Sequence, residues 1–161
     1  MTSTAPPVTA MTSRRDLLVG LATVLYLAGA FALLTADEPW TTRMAIVQTA
    51  ALFGCGVLIV RRTTTPVIGW LLVVPGVTFN LIYAFEAGDM NLATVGWVAW
   101  LTPLSTLGLL ALALLLLVFP TGRLETRATR VLAGIAVVGH LTGMVGEFLS
   151  VAGLVDITFE A

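Results

Sequence analysis

Charge is what this chain has least of. Only 11% of its 161 residues are charged and 58% are hydrophobic, with a mean hydropathy of +0.99. A soluble domain usually carries about 25% charged residues. So little charge cannot cover a water-facing surface, which excludes a soluble globular domain and makes the bilayer the solvent. Lysine is absent: all eight cations are arginine. With the abundance of Ala, Gly, Leu and Val, this points to a GC-rich bacterial genome. Cys55 is the sole cysteine, which excludes an intrachain disulfide and a cysteine-based metal cluster. Between Gly54 and Gly56 it reads as a small packed residue. No phosphate-binding glycine loop, nucleophile elbow or zinc-protease histidine pair is present. The sequence therefore predicts no enzyme, no cofactor and no nucleic-acid partner.

What the chain has is long apolar runs. The clearest ends a fourth run: Leu109 to Phe119 holds no polar side chain and stops at Pro120-Thr121-Gly122-Arg123. Residues 1–16 read as a disordered cytoplasmic tail rich in Thr, Ser, Pro and Ala. Met1-Thr2-Ser3 recurs as Met11-Thr12-Ser13, which makes Met11 an alternative start. Five runs follow, at about 17–35, 44–60, 66–85, 92–119 and 131–154, with an external tail at 155–161. Each is near the roughly 20 residues that cross about 30 Å of hydrocarbon. The first exceeds the apolar core of about 7–15 residues in a signal peptide, so it reads as an uncleaved span. Pro75-Gly76 should kink the third run. Pro103 should bend the fourth, with Trp97 and Trp100 at interface depth. The predicted fold is an all-α polytopic bundle of five spans in a bacterial inner membrane.

Arginine sets the orientation. Taken alternately, one set of loops holds Arg14, Arg15, Arg61, Arg62, Arg123, Arg127 and Arg130, and the other holds only Arg43. The N-terminus is therefore expected in the cytoplasm and the C-terminus outside.

Several polar residues fall inside the runs. His140 and Glu147 stand two helical turns apart on one face of the fifth run. Such a pair could relay a proton or sense pH. The plainer alternative hydrates Glu147 at the headgroups and bonds His140 to a neighbouring helix. One His and one Glu are too few ligands for a metal. Gln48, Asn80 and Tyr83 would line a polar path in a transporter or channel, or else form interhelical hydrogen bonds worth about 1 kcal/mol each. Gly139 and Gly143 form a Gly-x-x-x-Gly pair, extended by Gly146 and Ser150, which predicts a close-packing helix face.

Two stretches carry a resemblance. Arg61-Arg62-Thr63-Thr64-Thr65-Pro66-Val67-Ile68-Gly69-Trp70-Leu71-Leu72 resembles an R-R-x-x-N-P-I-G-W-L-L pattern, with Thr65 where the pattern has Asn. Phe119-Pro120-Thr121-Gly122-Arg123-Leu124 resembles an F-P-D/T-G-R-L turn. Both patterns are similar to the N-terminal membrane region of actinobacterial sensor histidine kinases and related stand-alone membrane proteins. The resemblance covers about residues 61–130. It implies a membrane sensor module in signal transduction. No phosphoacceptor helix or ATP-binding domain is in the sequence, and His140 lies within a span. The expectation is a non-enzymatic module that works through lipid, a membrane-protein partner or a second copy. The alternative is a small transporter or channel.

Overall fold

The computed structural model describes residues 8–35, 40–64, 66–87 and 106–151. Within them the regular structure is five helices: α1 (Val8–Thr35), α2 (Trp40–Arg62), α3 (Val67–Ala87), α4 (Leu107–Val118) and α5 (Arg127–Val151). Four are long and apolar enough to cross a membrane. The fourth in order, α4, has 12 residues and rises only about 18 Å at about 1.5 Å per residue. Trp97, Trp100 and Pro103 of the expected fourth run lie outside the described residues, as do both acidic turns' Asp37, Glu38 and Asp89 and the tail after Val151.

Local chemistry places the helix ends. α1 starts at Val8, inside the stretch expected to be a disordered tail. Pro6-Pro7 stands just before it, and neither Gly nor Pro interrupts the chain again until Gly20. α2 closes on Arg61 and Arg62, whose charge suits the negative end of the helix dipole. Pro66 precedes α3, and its carbonyl accepts a 2.9 Å bond from the Trp70 N–H. α3 then runs unbroken through Pro75, which is fully buried. α5 begins with a reciprocal cap: the Thr129 N–H donates to Thr126 Oγ1 at 3.1 Å, and the Thr126 N–H to Thr129 Oγ1 at 3.2 Å.

α4 stops where the sequence marks a stop. The Gly122 N–H donates to the Val118 carbonyl at 2.7 Å, and Gly122 has φ of 74°. That left-handed conformation is cheap only for glycine. Gly122→Val should cost about 1–2 kcal/mol, measured as a lower unfolding midpoint in detergent with helical content unchanged.

The core is an antiparallel seam between α2 and α3. Val60 lies opposite Gly69, Gly56 opposite Val73, Phe53 opposite Gly76 and Thr49 opposite Asn80. The steps alternate four, three and four residues along both helices, the spacing of a coiled-coil seam. Its close contacts are reciprocal. A Cβ on Gly56 would stand 2.8 Å from the Gly69 carbonyl oxygen, and one on Gly69 would stand 2.8 Å from the Gly56 carbonyl oxygen. Val60 and Val73 fill the space beside each glycine and are buried. In lipid, burying apolar surface between helices gains little, so close backbone approach and dispersion carry the association.

α3 is the centre of the bundle, packed against α1, α2 and α4, while α5 packs mainly on α4. α1 joins through Tyr26, which stacks on Phe53 with ring centroids 4.5 Å apart, and through Gly29, which faces Asn80 and Leu81. α4 joins through Gly108, which faces Thr78 and Phe79. Much of the described surface is apolar: Leu21, Phe31, Val47, Leu58, Leu116 and Ile135 are among the large side chains left exposed. Thr23, Thr49, Thr78 and Thr142 return their hydroxyls to the carbonyl one turn back, so each sits in apolar surroundings with its proton donated.

Candidate functional site

Asn80 is the most enclosed polar side chain described. It has 0% exposure, at the point where α1, α2 and α3 cross. Its Nδ2 donates a long 3.4 Å bond to Thr49 Oγ1. The Thr49 hydroxyl contacts the Ala45 carbonyl at 2.9 Å and the Ile46 carbonyl at 3.2 Å. The Tyr26 hydroxyl, from α1, also donates to the Ile46 carbonyl, at 3.3 Å. Asn80 Oδ1 is buried with no donor. It faces Gly29, where any Cβ would overlap it. An unpaired buried acceptor costs about 1–3 kcal/mol. The cluster is therefore polar, closed and incompletely satisfied.

The other candidates do not gather around it. Gln48 is exposed on α2, one residue off the seam that holds Thr49. Tyr83 is half-buried on α3. His140 is half-buried on α5, with Nε2 3.4 Å from the Thr106 hydroxyl at the start of α4. Glu147 is exposed, and lies about 30 Å along α5 from Arg127 at about 1.5 Å per residue. That length equals the hydrocarbon thickness, so Glu147 stands at the opposite end of the helix from the arginines. His140 is about 10 Å short of it, so the two do not form a contact pair. Among the described residues, no group of three or more His, Cys, Asp or Glu side chains could hold a metal.

Gly139 and Gly143, expected as a packing face, meet nothing within 4 Å. Gly146 is half-buried. Among the described residues, the glycines that pack closely are Gly29, Gly56, Gly69, Gly76 and Gly108. Cys55, expected to be packed, is exposed. The seam takes Phe53, Gly56 and Val60, which turns residue 55 outward.

The arginines converge on one end of the bundle. Arg15 Nη2 donates to the Thr63 carbonyl at 3.1 Å, which joins the start of α1 to the end of α2. Ile68 lies 3.8 Å from the Cβ position of Gly122, which joins the start of α3 to the turn carrying Arg123. Arg130 Nε donates to the Leu124 carbonyl at 3.1 Å within that turn. Arg14, Arg61, Arg62, Arg123 and Arg127 are exposed there. Sequence reasoning found these arginines but missed the inward part played by Arg15.

No protein-family model matches this chain, and no curated protein or solved structure matches it.

Proposed function

We propose that this chain is a five-span inner-membrane protein, N-terminus in and C-terminus out, that acts without catalysis by helix contact with another membrane protein. The fourth span is taken from residue 92 to residue 119, since α4 alone is about 12 Å too short to cross. The convergence of Arg14, Arg15, Arg61, Arg62, Arg123, Arg127 and Arg130 supports the orientation, because cations collect on the cytoplasmic side. The resemblance of residues 61–72 and 119–124 to the kinase membrane regions supports a sensor module. Gly69 and Gly122, which fall in those two stretches, hold the α2–α3 seam and the α4 stop.

One observation carries the contact reading. Only 6% of the apolar window of α5 is buried within the chain, and its Gly139–Gly143 surface is open. A partner helix could approach closely there. In-cell crosslinking followed by purification in mild detergent and mass spectrometry tests this. A membrane protein is expected to co-purify, and Gly139→Leu with Gly143→Leu should cut its recovery about tenfold, for roughly 1–2 kcal/mol of lost contact. Unchanged recovery would remove α5 as the contact. Recovery of this chain alone would point to a homo-oligomer. The transporter reading has less support, because among the described residues Gln48 and Glu147 are exposed, Asn80 is enclosed against Thr49 and His140 faces Thr106.

A further inference from the structure

We infer that the α1–α2 junction at Arg15 is a binding site for the phosphate of one anionic phospholipid. The inference rests on the membrane reading, though not on which side of the membrane the arginines face. Arg14-Arg15 stands just before the apolar run that starts at Leu17, and Arg61-Arg62 stands just after the one that ends at Val60. The Arg15–Thr63 bond holds these two pairs at the same height. That is the height at which acyl chains give way to phosphates.

Arg15 is held there with donors to spare. Its side chain is half-buried and Nη2 is fixed on the Thr63 carbonyl. Nε is covered and has no acceptor. A guanidinium has five N–H donors in a rigid fork; among the described residues only Nη2 has an acceptor, and with Nε covered it is the outer Nη donors that a ligand can reach. Arg14, Arg61 and Arg62 are exposed beside it, and among the described residues no carboxylate pairs with any of them. Asp16 and Glu125 are the only carboxylates described at this end, and both are exposed. Four guanidiniums at a low-dielectric boundary demand anionic oxygens, and phosphate matches the fork.

A diacyl lipid fits better than a free anion. On the lipid side of this rim, Leu17, Leu18 and Leu21 are exposed on the α1 face that carries Arg14, and Leu58 is exposed one turn before Arg62 on α2. They offer an apolar wall for acyl chains beneath a cationic rim. Phosphate chemistry alone would not use that wall.

The test uses the full chain purified into mixed micelles with equal amounts of phosphatidylglycerol and phosphatidylcholine, with retained lipid counted by native mass spectrometry. Wild type should retain phosphatidylglycerol about tenfold over phosphatidylcholine. Arg15→Gln should lower that preference about fivefold. Arg127→Gln, at the same end but on α5, should leave it within about twofold. An equal fall in both variants, or no preference in wild type, would overturn the site in favour of a diffuse charged rim. Displacement of the lipid by excess inorganic phosphate would overturn the lipid assignment and leave a small-anion site. If Arg15→Gln is not monodisperse, Arg61→Gln with Arg62→Gln replaces it, since those exposed side chains make no bond among the described residues. The same fivefold fall is expected, and an unchanged preference would overturn the site. Micelles present lipid at both ends, so a negative result leaves the orientation untouched.

Discussion

Gly56→Leu should pull α2 off α3. Adding bulk to a packed core costs about 1–3 kcal/mol when neighbouring side chains can yield. Here two of the three nearest neighbours are backbone, the Gly69 carbonyl oxygen and the Val73 nitrogen, both at 2.8 Å. Neither can rotate away, so the helices must separate. The expected loss is about 3 kcal/mol or more, because the whole seam from Val60 to Thr49 shares one interhelical distance. Gly54→Leu is the matched control. Nothing lies within 4 Å of its Cβ position, so its cost should stay within about 0.5 kcal/mol. Denaturation in mixed micelles, followed by circular dichroism and by tryptophan fluorescence, measures both. Equal midpoints for the two variants would show that α2 and α3 do not meet at Gly56. Gly69→Leu should reproduce the Gly56 result, since each glycine faces the other's carbonyl.

That seam shows how far the sequence could be read. Four of the apolar runs were legible as helices long enough to cross a membrane, because a span in lipid must satisfy its own backbone. Run ends were legible from Pro66, from Gly122 and from the arginine pairs, each with a local physical cause. The mutual packing was harder. Gly-x-x-x-Gly at Gly139 and Gly143 is the familiar signal for close approach, yet those positions are open. The chain instead pairs Gly56-x-x-x-Val60 with Gly69-x-x-x-Val73 across the connection that follows Arg62. One helix alone shows only half of such a motif. It becomes visible when the two runs are laid antiparallel and small residues are matched with valine.

The candidate site was legible in its members rather than in its arrangement. Asn80 stood out as a polar residue in an apolar run, and it is enclosed. Gln48 stood out for the same reason and is exposed, because period and register decide which face a residue takes. Thr49, one position on, takes the seam and meets Asn80. Tyr26 and Gly29 carried no signal in sequence, since an interhelical partner defines their role. Seven residues separate His140 from Glu147, which put them on one face as expected. The rise along α5 nevertheless holds them about 10 Å apart, and α4 supplies Thr106 to His140 but nothing charged.

A double-mutant cycle at Gly29 and Asn80 should give strong coupling of opposite sign to the single effects. Gly29→Ala places a methyl where Asn80 Oδ1 lies, with Leu81 Cδ2 at 3.4 Å closing the other side. α1 must then move outward, at a cost of about 2 kcal/mol. Asn80→Ala gives up the 3.4 Å bond to Thr49 and leaves a small void, but it also removes an acceptor that had no donor. These terms largely offset, so its cost should be about 1 kcal/mol or less. In the double variant the Gly29→Ala methyl enters the space the carboxamide left. The pair should then be more stable than the sum of the singles predicts, by about 1–3 kcal/mol. Gly20→Ala, with nothing within 4 Å, should cost almost nothing and should not couple. Additive behaviour at Gly29 and Asn80 would mean that α1 does not close over the carboxamide. Asn80 would then face an opening between helices, and a polar path through the bundle would regain its main support.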